Sequence, residues 1–576
     1  MIKRLSRQII NKAERPERVL QFGEGVFLRA FADEMIDRLN ERGLFDGGIV
    51  VVPPTPRGSE APLNAQDCLY TVLLRGFAGG ALKTERRVVT SVSRAINAYA
   101  DYEAYIACAK NPDLQVVISN TTEAGIAFDE NSGPDDRPPL GFPAKVAAFL
   151  YERYKHFGGD VRRGLAFLPC ELLNDNGQAL RECVMRHAAK WGYGTAFADW
   201  VSRACVFADT IVDRIVSGFP AAEAGALFDE FGYEDALLDA GEPFHFWAIG
   251  TPPAALAAPA PSPEPAPTPA PAPSFASAPA VYPAAPVDAS PAAPAQSPEP
   301  APAPARPSVH NLPELLPFHK IGLNVLYTEN VGLYADRKLR LLNGAHTMLA
   351  SAAYPDGFGF VGEAIKRPAY KAYIYNAMFN EIIPTLMPSL SLSELKPFAE
   401  SILERFANPY VNHRLPAIML NAASKFRIRI IPSILKYCEA EGAPPKMLTF
   451  SFAAFIAYYR IHKAAPTGQN APDAWFGTRV EDGVPAPYQV IDEAGALEFF
   501  CGAWSALNLP PEPRPGPDAA SFDEIFALTR RVLANGDIWG ADMNAVTGLA
   551  QTAAAHLSGI LRNGTTAALE TALNNL

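Results

Sequence analysis

The chain has 576 residues, 49% of them hydrophobic and 19% charged, enough for two or three domains with sizeable cores. A formal net charge of −11 with no basic block excludes binding of nucleic acid by phosphate neutralisation. Seven cysteines without a C-x-x-C pair argue against a zinc knuckle or disulfide framework. They point to a reduced, cytoplasmic compartment, and no apolar run reaches the roughly 20 residues of a membrane span.

The first elements alternate. "ERVLQFGEG" is an apolar run ending in glycines, and "VFLRAFADEMIDRLNERG" has helical apolar spacing with Gly43 as its stop. "GGIVVVPP", "LQVVISNTTEAG" and "GLAFLPCELL" are further continuous runs of the kind that form strands buried on both faces. Such alternation predicts an α/β, Rossmann-like N-terminal domain with a parallel sheet over residues 1–250.

Composition then changes. Residues 252–307 hold 20 of the 54 prolines, with alanine filling most of the rest. Proline removes backbone donors and fixes φ, so 251–309 is expected to be a disordered Pro/Ala-rich linker or insert. A ligand for an SH3-like partner would need flanking specificity residues, which are missing. Residues 310–576 turn mainly α-helical, through "SLSELKPFAESILERFA", "LPAIMLNAASKFRIRIIPSILKYCEAEG", "MLTFSFAAFIAYYRIHKAA" and two final segments that end on Asn-Gly.

Two places carry chemistry. Gly23 and Gly25 fall where the first strand meets the first helix, so the backbone there can approach a pyrophosphate at a helix N-terminus. Phe27 and Arg29 follow directly, and Leu28 replaces the third glycine of G-x-G-x-x-G. The second strand, "IVVVPPTPRG", ends without the acidic residue that binds a ribose, and Arg57 is close by, so NAD(H) and NADP(H) both stay open. Thr122 and Glu123 end a strand at the carboxyl edge of the sheet, where they either face the cofactor or cap the next turn.

The second place is "DRKLRLLNGAHTMLASAAY", residues 336–354, where Lys338, Asn343 and His346 interrupt an apolar helix. Hydride transfer at a secondary carbinol needs a group to exchange the hydroxyl proton and donors where negative charge builds on oxygen. A buried lysine, an amide and a neutral imidazole meet those needs. Asn343 and His346, at i and i+3, share a helix face. Lys338 reaches them only from an irregular turn. A snorkelling lysine, an Asn-Gly break and a core histidine fit the same residues.

"KLRLLNGAH" resembles the K-x4-N-G-x-H signature of the mannitol dehydrogenase family, the polyol-specific long-chain dehydrogenases. "QFGEGVFLRAF", "VDRIVSGFP", "RFANPYVNHRL" and "KFRIRIIP" extend the resemblance over nearly the whole chain outside the Pro/Ala segment. "SNTTEAGI", "PCELLNDNG" and "LNGAHT" look most like the branch that interconverts D-tagaturonate and D-altronate with NAD(H). The resemblance implies Lys338 as the proton-exchanging residue, Asn343 as oxyanion donor and His346 as the group that orients the substrate. It also implies a cation for the sugar-acid carboxylate, with Lys425 first and Arg427 and Arg429 as alternatives. For the two arginines, a solvated helix face is the simpler expectation. Asp213 and Arg214 match a family motif and serve either as a buried ion pair or in the site.

Three departures bear on the substrate. Cys170-Glu171-Leu172 stands where mannitol-type members have C-D-N, so Leu172 replaces an oxyanion-binding amide that Asn174 or Asn176 would have to supply. Ala335 replaces a glutamate three residues before the lysine, and Ala417 an arginine eight residues before Lys425. These changes favour a ketohexuronate over mannitol. A fructuronate reductase and a mannitol-type polyol dehydrogenase are the enzymatic alternatives, and a nucleotide-binding scaffold with a Pro-rich tether is the non-enzymatic one. No metal, nucleic acid, membrane or obligate protein partner is expected.

Overall fold

The computed structural model describes residues 2–121, 124–251, 307–387, 389–464, 473–481, 483–507 and 520–576. Six strands form the central sheet: β1 (Glu17–Phe22), β2 (Gly48–Val52), β3 (Val92–Ala95), β4 (Val116–Ser119), β5 (Ala166–Pro169) and β6 (Val206–Phe207). All pairs are parallel, in the order β3-β2-β1-β4-β5-β6, the Rossmann arrangement expected from the alternating runs. The β-branched runs are buried on both faces. Val19, Ile49 and Val51 enter one core, while Leu20, Val50 and Val52 enter another.

The helix over 26–41, α1, covers the first face with Leu28, Phe31, Met35, Ile36 and Leu39. Its middle, Arg29–Asp33, is π-helical. On the other face lie α2 (Phe142–His156), α3 (Asn176–Lys190) and α4 (Thr195–Ala204). A second sheet joins β7 (Thr210–Asp213) antiparallel to β8 (Phe246–Gly250), which pairs in parallel with β9 (Val325–Thr328). The Pro/Ala segment, of which 252–306 lie outside the described residues, thus falls in chain order between two neighbouring strands. Composition placed the start of the helical part at 310. Leu312, Leu315, Leu316, Phe318 and Val325 instead pack in the same core as Val19, because β9 needs β8 as its hydrogen-bonding neighbour.

A third core, that of the helical part, begins with the helix over 331–353, α5. It gathers α6 (Leu392–Phe406), α7 (Ala422–Arg429), α8 (Lys446–Tyr458), α9 (Phe522–Leu533) and α10 (Leu549–Asn563). Met348, Leu349, Ile402, Phe426, Phe450, Phe455, Val532 and Leu557 interlock there, each almost fully buried. The long periodic stretch 415–442 resolves into three helices, Leu415–Ile418, α7 and Ile431–Glu441. Pro416 and Pro432 sit at the starts of the first and third, where their missing N–H groups cost nothing. The domain also holds an antiparallel meander, His462–Lys463, Trp475–Glu481 and Val484–Val490. Its last strand, at the edge, carries Pro485 and Pro487, which hid it from a pattern reading.

Candidate active site

At the carboxyl end of β1, Gly23 adopts φ +130° and donates its N–H to Val52 O at 3.1 Å. A Cβ there would lie 2.9 Å from Asn120 O and 3.2 Å from a Leu28 methyl, so no larger side chain fits without a shift. Asn120 in turn takes the Phe22 carbonyl with its N–H and the Cys170 carbonyl with its side-chain amide. The ends of β1, β4 and β5 are thereby laced together at the point where strand order reverses. Gly25 caps α1 in an extended conformation, and a Cβ there would meet nothing within 4 Å. A tight turn, an open glycine and a helix N-terminus fit a dinucleotide pyrophosphate.

The neighbouring candidates fare differently. Phe27 stacks on Phe31, with ring centroids 5.0 Å apart, against the α1 core. Arg29 is not available to a cofactor: it is buried, donates to Leu237 O at 2.6 Å, lies 3.6 Å from Asp239 and covers the Tyr70 ring. Thr122 and Glu123 lie outside the described residues. Glu171 accepts from Ser119 Oγ and from both Thr121 N and Oγ1.

The irregular turn that Lys338 requires is present. Lys338–Asn343 is π-helical, flanked by α-helical Val331–Arg337 and Gly344–Ala353. A π-helix bonds i to i+5, so residues five apart share a face. Lys338 and Asn343 therefore line one wall of a cleft of about 430 Å³, with Leu172, Leu173, Asn174, Asp209 and Thr210 opposite. The Lys338 side chain is 14% exposed, donates to Val212 O at 2.7 Å and stands 3.9 Å from Asp213 Oδ1. Burial lowers its pKa, Asp213 works against that, and Arg405 and Arg429 add to the lowering.

Asp213 is held by a partner that pattern reading left without a role. Arg405 donates to both its carboxylate oxygens, at 2.9 and 2.8 Å, and also to Glu242 at 3.0 Å. Burial alone would raise the Asp213 pKa, but Arg405 and Lys338 outweigh it and hold the carboxylate below its usual range. Two cations and two carboxylates thus balance in a buried network. The signal for Arg405 was the one that marked Lys338, a charge at core spacing beside Ile402 and Phe406. Arg214 does not pair with Asp213. It is buried against Glu34 at 3.4 Å and the Phe244 carbonyl at 3.2 Å, fastening α1 to this strand.

Three further expectations meet a different geometry. His346 does not line the cleft; it packs on Phe406 and His413 with centroids 4.4 and 4.6 Å away. Burial, then His413 and Arg405, push its pKa well below the ordinary value, so the ring is neutral. Asn176 is fully buried, its amide donating to the carbonyls of Pro169, Glu171 and Thr210 and accepting from Thr210 N, so it pins β5 to β7. Lys425 lies outside the lining, with Nζ donating to Ile418 O at 3.0 Å. Arg429, at the end of α7, does line the cleft, as do Asn174, Ala335 and Leu172, which is 57% exposed. Arg427 faces a separate pocket beside Asp537 and Gly540.

A Rossmann sheet beside a helical domain, with lysine and asparagine on the wall of a cleft, defines a two-domain dehydrogenase. The Rossmann-domain model of mannitol dehydrogenases matches residues 17–260 and the mannitol dehydrogenase C-terminal domain model matches 330–475. The chain belongs to the mannitol dehydrogenase family. Proteins named altronate oxidoreductase from Escherichia coli O1:K1 / APEC and from Escherichia coli O139:H28 (strain E24377A / ETEC) are each 35% identical over 564 residues, 98% of either chain. Pseudomonas fluorescens mannitol 2-dehydrogenase, solved as a ternary complex with NAD and D-mannitol, aligns over 100% of both chains with 20% identity and a TM-score of 0.61. A substrate-free D-sorbitol dehydrogenase aligns over 99% of this chain and 100% of its own, with 19% identity and a TM-score of 0.67. With these two structures the likeness is one of fold.

Proposed function

We propose that the protein is an NAD(H)-dependent hexuronate oxidoreductase that interconverts D-tagaturonate and D-altronate. The observation that carries this reading is the π-helical turn that puts Lys338 and Asn343 on one wall of the cleft. The altronate oxidoreductase relatives, aligned over 98% of the chain, support the substrate class. The reading also gathers the departures from the mannitol pattern, since Ala335 and Leu172 leave the cleft without a glutamate and an amide at those places.

Gly23, Gly25 and the first turn of α1 would hold the pyrophosphate of NAD(H), which when bound supplies or accepts the hydride. The cleft residues handle the proton. In reduction, the Lys338 ammonium gives a proton to the carbonyl oxygen as that oxygen gains charge. In oxidation, the neutral amine takes the proton from the hydroxyl. Val212 O and Asp213 position Nζ, and Arg405 fixes Asp213 by its two-pronged contact. The Asn343 amide donates to the oxygen where charge develops, and Asn174 across the cleft takes the place of the amide lost at Leu172. The domain ending near 328 serves the cofactor, and the helices from α5 onward serve the sugar acid. Seven free thiols support work in the reducing cytoplasm.

The test is oxidation of NADH and NADPH by the purified protein with D-tagaturonate, D-fructuronate and D-fructose supplied separately. NADH oxidation with D-tagaturonate at the highest kcat/KM is expected. Turnover of fructose alone would refute the assignment.

A further inference from the structure

Of the described residues that line the cleft, two are cationic, Lys338 and Arg429. Lys338 already carries the proton exchange, and it points to Val212 O and Asp213. Arg429 ends α7 because Pro432 opens the next helix, and its Nη1 donates to Thr347 Oγ1 at 3.0 Å and approaches Asn343 O at 3.5 Å. Thr347 Oγ1 itself bonds to Asn343 O at 3.0 Å. The guanidinium plane is thus fixed on the helix turn that carries the oxyanion amide. Fixed, half-buried guanidinium is the group best matched to a planar carboxylate.

The rest of the lining makes such a cation necessary. Asp175, Asp209 and Asp336 also border the cleft. Asp209 accepts from Gln178 N at 3.0 Å and Asp336 pairs with Arg340 at 3.4 Å, which fixes both carboxylates in place. An anionic sugar entering among three carboxylates needs a positive group within one sugar length of the base. Arg429 meets that condition, since it lines the same cleft as Lys338.

We infer that Arg429 is the specificity-determining residue that receives the substrate carboxylate, in place of Lys425. The inference rests on the hexuronate reading above. It is tested with Arg429→Ala, Arg429→Lys and the control Arg427→Ala, using D-tagaturonate and its neutral counterpart D-tagatose, the latter as substrate or competitive inhibitor, with NADH. A charge-assisted contact of this kind is worth about 10- to 100-fold in binding. Arg429→Ala should therefore raise KM for tagaturonate about 30-fold with kcat changed little. Affinities for tagatose and NADH should stay within about 3-fold, Arg429→Lys should recover part of the loss, and Arg427→Ala should change nothing. A tagaturonate KM within about 3-fold of the parent, or an equal loss for tagatose, would overturn the inference while leaving the hexuronate reading standing. Failure of the parent protein to turn over tagaturonate would overturn both.

Discussion

Of the π-helical segments that interrupt longer helices among the described residues, Arg29–Asp33 and Lys338–Asn343 use their polar residues in opposite ways. In Arg29–Asp33, Arg29 reaches Leu237 O and Asp239, while Asp33 accepts from Tyr70 OH at 2.7 Å. Both side chains are buried and fasten α1 to a further sheet, in which strand Tyr70–Ala78 pairs in parallel with Asp239–Gly241. In Lys338–Asn343, the same widening of the helix delivers an amine and an amide to an open cleft lined by α5, α7 and the loop after β5. A π turn re-aims side chains by changing the residue spacing on a face. What lies opposite that face decides whether the result is a fastening or a reactive site.

The largest expected effect breaks the reactive member of this pair. Lys338→Met should lower turnover by about 10³-fold or more, since positioned proton exchange is worth 10²- to 10⁴-fold. The fold should survive but lose some stability, because Asp213 keeps its two bonds to Arg405 while the buried network is left with one cation for two carboxylates. Steady-state kinetics and calorimetry on one preparation check both parts. Turnover within tenfold of the parent would take Lys338 out of the proton exchange.

The next effect falls on stability and leaves recognition alone. Asn176→Ala removes an amide that joins three carbonyls and one N–H between β5, the loop after it and β7. Orphaning buried backbone groups costs 1–3 kcal/mol apiece, so a loss of about 3 kcal/mol is expected in urea unfolding of the N-terminal domain. KM for the sugar acid should move less than about 3-fold. A large rise in KM with unchanged stability would return Asn176 to the substrate site.

Much of this architecture was legible in the residues, and the limits follow from range. Continuous runs such as Ile49–Val52 announce strands buried on both faces, and Gly23 announces a tight turn, because each rests on chemistry local to a few residues. The Lys338–Asn343 spacing pointed to an irregular turn, yet six residues cannot tell a period of 3.6 from a wider one. Contacts across long separations leave no local pattern. Asp213 and Arg405 stand 192 positions apart, and Arg29 finds Leu237 across 208. The edge strand Val484–Val490 was hidden because its two prolines normally argue against a strand. Arg429 and Lys425 share one short helix, and only the fold reveals which of them borders the cleft.

The smallest effect sharpens the other half of the comparison through pH. Asp33 is buried with no hydrogen-bond partner at Oδ1, and burial pushes its pKa up to about 7 against the bonds from Tyr70 and Gln21. Asp239, facing Arg29, is likewise pushed to about 7 by burial. In the folded chain these carboxyls hold protons that the unfolded chain gives up near pH 4, so stability should fall as pH rises from about 4 to 7 and level off above. Asp33→Asn keeps an acceptor for Tyr70 OH and removes the charge. It should raise the unfolding temperature at pH 8 by a few degrees, an effect of about 1–2 kcal/mol, and change it little at pH 4. Turnover with the sugar acid should remain, because this segment faces Tyr70 and Asp239 and does not line the cleft. A pH dependence of unfolding identical in the variant and the parent would show that Asp33 folds as a charged carboxylate.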